Sequence, residues 1–127
     1  MQLLTFQVGV YLLAVPAQRV LSVGREEAEA HHAGLSAVAV DLAAILDPDG
    51  ERAEQRPVIR YHDSDRTVEL KVDRILALEN CADGAIQPWP GLLKSLPLFT
   101  AVAVIGDRAY QIIDIAVLTK RGKGRRR

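Results

Sequence analysis

The stretch from Pro57 to Asp73 constrains this chain more than any other. In its second half Val68, Leu70 and Val72 alternate with Thr67, Glu69, Lys71 and Asp73. A period of two places the apolar side chains on one face of a strand and the polar ones on the other. His62-Asp63-Ser64-Asp65, made of turn-forming residues, separates this arm from the apolar run Pro57 to Tyr61. The pair reads as a β-hairpin with one wet face and one face committed to a core.

The same signals recur along the chain. Gln2 to Val8 alternates Leu4, Phe6 and Val8 with Thr5 and Gln7, as a half-buried strand does. Gly9 permits a turn, and Val10 to Val15 is a fully apolar strand stopped by Pro16. Ala17 to Arg19 makes one helical turn before the strand Val20 to Val23. Ala37 to Val40 is a strand, and Asp41 caps a short helix, Leu42 to Leu46. Asp47-Pro48-Asp49-Gly50 is a turn, and the charged stretch Glu51 to Arg56 reads as exposed. Ile75 to Glu79 is a strand, whereas Gln87-Pro88-Trp89-Pro90-Gly91 is too proline-rich for regular structure. Leu92 to Leu96 makes a helical turn, with Trp89 plugging a barrel seam. Phe99 to Ile105 and Ala109 to Ile113 are strands around Gly106-Asp107-Arg108, and Asp114 caps a last short helix, Ile115 to Lys120. Val68, Leu70, Val72, Leu76, Phe99, Val102, Val104 and Ile113 are the expected core. So many short strands predict an all-β barrel or sandwich. The strand–Asp–helix unit at Val40-Asp41-Leu42 returns at Ile113-Asp114-Ile115, a weak internal echo consistent with two related barrels.

Charge narrows the function. The net charge is zero, yet six of the last eight residues, Lys120 to Arg127, are basic, so residues 1–119 carry a net −6. The tail reads as a solvated, disordered end, and the acidic body is a poor match for a nucleic-acid-binding face. The longest apolar run is far too short to cross a bilayer, and no basic segment opens the chain. With a single cysteine, Cys81, which reads as a small buried hydrophobe, the chain is expected to be cytoplasmic and soluble.

Catalytic signatures are missing. His31-His32, His62 and Cys81 lack the spacing of zinc ligands. The acid pairs Asp63/Asp65, Asp47/Asp49 and Glu26/Glu27 fall in turns or exposed stretches, where nothing pushes their pKa values apart for acid–base work. Ser22, Ser36, Ser64 and Ser95 form no nucleophile elbow, and no glycine-rich phosphate loop is present. No enzyme activity, cofactor or metal is expected, and the residues by themselves suggest a β-rich binding module.

Four stretches, in order, resemble the CheW-like family of bacterial chemotaxis adaptors. They are Leu4-Thr5-Phe6-Gln7-Val8-Gly9 with Leu13 to Val20; Val40-Asp41-Leu42-Ala43-Ala44-Ile45-Leu46; Val72-Asp73-Arg74-Ile75-Leu76 with Ile86-Gln87-Pro88-Trp89-Pro90; and Phe99 to Ile115. The likeness spans residues 2–119 and implies one CheW-like domain over 1–119, followed by the basic tail 120–127. It implies an all-β fold of two intertwined five-stranded SH3-like barrels with short helices. It also implies a non-catalytic adaptor that couples a CheA-type histidine kinase, through that kinase's regulatory domain, to the cytoplasmic tip of methyl-accepting chemoreceptors. The alternative is a β-barrel binding module outside chemotaxis, for a small ligand or nucleic acid.

By the resemblance, partner contact falls near Val20, Ser22, Ala33 and Gly34. The family's usual Asn-Leu-Arg-Gly is His31-His32-Ala33-Gly34 here, so the glycine stays and the arginine becomes Ala33. The segment before it is short, and Ser22 stands where an acid is common. Ala33 cannot replace a planar, multi-donor guanidinium, so receptor binding is expected to be weaker or redirected while kinase contact persists.

Overall fold

The computed structural model describes residues 1–25, 37–51, 55–63, 66–88, 99–115 and 117. Ala33 and Gly34, Ser64 and Asp65, Trp89, the turn expected at 92–96 and the tail 120–127 lie outside the described residues. The strands are β1 (Gln2–Val8), β2 (Tyr11–Pro16), β3 (Val20–Arg25), β4 (Ala37–Asp41), β5 (Pro57–Asp63), β6 (Arg66–Lys71), β7 (Arg74–Asn80), β8 (Ile86–Pro88), β9 (Phe99–Ile105) and β10 (Arg108–Ile113). The single described α-helix, α1, is Leu42–Leu46, and one-turn 3-10 segments occupy Ala17–Arg19 and Asp83–Ala85. The all-β expectation is therefore met.

Two sheets carry these strands, in the orders β7-β1-β2-β10-β9-β8 and β3-β5-β6-β4. The strands divide six and four because β10 lies parallel to β2 and brings β9 and β8 into the larger sheet. The other parallel pair is β4 with β6. Each strand of the internal echo thus ends on a parallel pairing, and in each the following aspartate caps what comes next. Asp41 accepts from the Ala43 and Ala44 amides at 3.1 and 3.4 Å, and Asp114 accepts from the Val117 amide at 3.4 Å.

Alternation sorts the larger sheet into two cores. Leu4, Phe6 and Val8 of β1 join Leu13 and Ile113 on one face and meet Ile59, Val68 and Leu70 of the smaller sheet. On the opposite face Leu3, Ala14, Ala103, Tyr110 and Ile112 form a second cluster with Cys81, which is buried as expected. Leu76 of β7 and Ile86 of β8, from the sheet's two opposite margins, both pack on this second cluster. The sheet therefore curls round it, as a barrel wall does.

Burial departs from the sequence reading in three places. β1 is buried on both faces, since each face of it meets one of the two core clusters; fully buried Thr5 bonds its hydroxyl to both the amide and the carbonyl of Ala77, each at 3.1 Å. On β9, Ala101 and Ala103 face the tightly curled second core, so the bulkier Val102 and Val104 point away and Val104 is exposed. Gln87 and Pro88 do join a strand, but a three-residue one at the sheet's edge, where a proline's missing donor is tolerated. The turn at Gly9 is firmly set. Its φ is +58°, and its amide donates to the Asp73 carboxylate at 2.6 Å. A Cβ there would stand 2.9 Å from an Asp47 carboxylate oxygen.

Candidate functional site

β3 behaves unlike every strand beside it. Pro16 and the turn Ala17–Arg19 deliver the chain to an edge position, next to β5 alone among the described strands. The ladder slips between Val20 and Ser22: Val20 opposes Tyr61 and Ser22 opposes Arg60, leaving Leu21 unmatched. Such a bulge re-aims side chains at an edge. Val20 turns inward against the main core, while Leu21 and Val23 are 59% and 47% exposed. Ser22 is exposed as well, its hydroxyl 3.5 Å from an Arg60 nitrogen that can donate to it. Arg60 is held from below by Glu69 at 3.0 Å. The structure thus brings two of the four expected contact residues, Val20 and Ser22, onto one edge strand.

Beyond Ser22 the strand forms one wall of an open cleft of about 600 Å³ between the two sheets. Val23 and Arg25 come from β3, Arg56 and Pro57 from the entry to β5, and Asp73, Arg74 and Ile75 from the entry to β7. The floor is tied by backbone bonds, Val72 N–H to Pro57 C=O and Asp73 N–H to Gln7 C=O, each 3.0 Å. These hold the two sheets at a fixed spacing there.

Sequence reading missed the cleft, and Arg56 shows why. Its charged neighbourhood reads as solvent-facing, yet Arg56 is only 6% exposed. Its two terminal nitrogens grip both oxygens of Asp41 at 2.9 Å, a bidentate pair that offsets part of the cost of burying the charge. The same carboxylate caps α1, so one side chain fastens helix, β4 and the β5 entry together. The partners are fifteen residues apart in sequence, and nothing local signals the pairing. By contrast Arg25 and Arg74 are exposed, and among the described residues neither has a carboxylate within ion-pair distance.

Among the described residues no three His, Cys, Asp or Glu side chains converge as metal ligands would, and no helix is long and apolar enough to cross a membrane.

No family profile matches the chain. No curated protein matches it at the level of sequence either. Among solved structures, it is similar to the scaffolding protein TtCheW from Thermoanaerobacter tengcongensis. The two superpose with a TM-score of 0.71 over 89% of this chain and 88% of that one, at 15% sequence identity. The fold is CheW-like. At that identity the likeness speaks for backbone architecture, and the CheW-like frame puts nearly all of both chains into one shared topology. The edge strand and the cleft are details of this chain's own residues on that frame.

Proposed function

We propose that this protein is a non-catalytic, cytoplasmic adaptor that couples a CheA-type histidine kinase to chemoreceptors. The observation that carries the reading is the superposition on a CheW scaffolding protein over nearly the full length of both chains. The motif order from Leu4 to Ile115 supports it independently. Kinase contact belongs to the exposed strands of the barrels, where a β surface can bury apolar side chains inside a polar rim. Receptor contact belongs to the β3 edge, with Leu21 and Ser22 exposed beside Val20, and to the cleft that follows it. Ala33 and Gly34 remain part of this proposed contact.

The test is a titration of the full chain against the regulatory domain of the CheA-type kinase from the same genome, and separately against that genome's receptor-tip fragments. The expected kinase Kd is about 10 µM or tighter, roughly −7 kcal/mol. Absence of kinase binding at several times that concentration would defeat the adaptor reading.

A further inference from the structure

We propose that Ser22 is a phosphorylation site, and that Arg60 captures the phosphate and so takes the β3 edge out of receptor contact. The proposal rests on the adaptor reading for what is switched and adds how that edge is regulated.

Among the described residues Ser22 stands apart from the other hydroxyls. Thr5 is fully buried, Thr67 is half-buried on central β6, and exposed Thr100 spends its hydroxyl on the Ile112 carbonyl at 3.4 Å. Tyr61 and Tyr110 are buried, and Tyr11 packs against the main core. Ser22 is exposed on an edge strand, and its oxygen lies 3.5 Å from Nη1 of Arg60. The segment is already extended and has a single neighbour among the described strands, so an enzyme can reach the hydroxyl without opening the centre of the sheet.

What lies beyond the hydroxyl suits a phosphate. Ile59 and Tyr61 point into the main core, so Arg60 between them, and Ser22 opposite it, lie on the other face of the smaller sheet. Glu69 holds Nε of Arg60 at 3.0 Å and is the more enclosed partner, with 15% side-chain exposure against 36%. This fixes the guanidinium plane with Nη1 turned toward β3. A serine/threonine kinase would transfer the γ-phosphoryl group of a nucleoside triphosphate. The bond from Ser22 Oγ to phosphorus forms, the bond from phosphorus to the diphosphate oxygen breaks, and the hydroxyl proton passes to the base of that kinase. The ester carries about −1.5 to −2 charges and three strong acceptor oxygens beside the Arg60 fork.

Two carboxylates oppose the new charge. Glu69 is two strands from Ser22, roughly 10 Å at ordinary strand spacing, with the guanidinium between them. Asp73 lines the cleft with Val23 and Arg25, and alternation along β3 puts these on the side away from Ser22. Leu21 and Val23 flank Ser22 and are 59% and 47% exposed. A partner that covers them would have to strip water from a phosphate set between them, and pairing with Arg60 offsets only part of that cost.

The first measurement is made on the full chain purified from its own cells with phosphatases inhibited. A fraction should carry one added phosphate, mapped to Ser22 by fragmentation. A chain unphosphorylated at Ser22 in growing and starved cells alike overturns the proposal. The next uses the full chain with phosphoserine encoded at position 22. Its phosphorus NMR signal should titrate below the value of about 6 for an unheld phosphoserine, and Arg60→Gln should move it back up. Arg60→Lys keeps the charge without the fork and should fall between. Glu69 and Arg19 are common to all three chains, so the difference reports Arg60. A phosphate that titrates at the unheld value, or ignores both variants, overturns capture. Finally, the phosphate should weaken receptor-tip binding about tenfold or more, leave binding of the CheA-type regulatory domain unchanged, and lose its effect on phosphatase treatment. Unchanged receptor binding overturns the switch. Failure of the adaptor reading looks different: the unphosphorylated chain then binds neither partner, while the phosphate on Ser22 and its capture by Arg60 stay measurable.

Discussion

β6 and β3 belong to the same four-stranded sheet and do opposite work. β6 is central, flanked by β5 and β4, and Val68 and Leu70 are fully buried. β3 is at the edge, and from Leu21 onward every residue is exposed. β3 carries three branched apolar residues, Val20, Leu21 and Val23, and β6 only two, Val68 and Leu70, so apolar content does not say which strand is buried. Position in the ladder does: a central strand has two neighbours and a facing sheet, while an edge strand has one neighbour and an unpaired row of backbone groups. The first stores the fold's stability, and the second leaves apolar side chains free to meet something else.

The largest test of this contrast is a pair of truncations. Leu70→Ala should cost about 4 kcal/mol in urea unfolding, because Leu70 is wholly enclosed and its removal leaves a cavity. Leu21→Ser should change stability by no more than about 0.5 kcal/mol. It should instead weaken receptor-tip binding. A large stability loss at Leu21, or a small one at Leu70, would break the division between storing strand and binding strand.

The next test lies at the seam of the two regions. Arg56 lines the cleft behind β3, yet its head is anchored to Asp41 at the far end of β4. Asp41→Ala takes both of its bonds from a guanidinium with 7% side-chain exposure, and it also removes the cap of α1. The Asp41 side chain keeps 30% exposure, which moderates the loss to about 3 kcal/mol. Asp41→Asn keeps an oxygen for the Ala43 amide and should cost less. Equal melting temperatures for the two variants would show that the ion pair, and not the cap, holds the seam.

What the sequence disclosed, and what it hid, divides along the same line. The period-two pattern at Val68, Leu70 and Val72 fixed the inward face of β6, and all three are buried. Asp41 and Asp114 announced their caps because capping is a local affair. The parallel pairings β4–β6 and β10–β2 join distant segments and leave no local trace, so the six-and-four division was not legible. β9 is apolar throughout and has no period, so its faces could not be told apart; the tight curl selected its alanines. Of the candidate contact residues, the resemblance singled out Val20 and Ser22, which share the edge strand β3. The cleft was not, because it depends on where β7 enters beside β3 and on an ion pair spanning fifteen residues.

The smallest effect sharpens the comparison at the border residue, Tyr61. It sits on β5, opposite Val20 of β3 on one side and Val68 of β6 on the other. Burial pushes its phenol above the ordinary 10.0; Arg19 pulls it back in part, while Asp63 and Asp114 push it further up. The charged form of tyrosine is the deprotonated one, so in the folded chain Tyr61 holds its proton to higher pH than in the unfolded chain. Its contribution is fully present below about pH 10, where both states are protonated, and is lost as pH rises through the folded value. The urea midpoint of the parent chain should therefore fall more steeply above about pH 10 than that of Tyr61→Phe, which has no phenol to ionise. Lysine deprotonation contributes equally to both chains and cancels in the difference. Tyrosinate absorbance should show a late-titrating phase that the variant lacks. If opening β3 away from β5 frees Tyr61 before the core yields, that phase appears at a lower pH than global unfolding, and the edge strand is the weaker region. If both occur together, β3 unfolds with the storing strands, and its availability for binding comes from exposure alone.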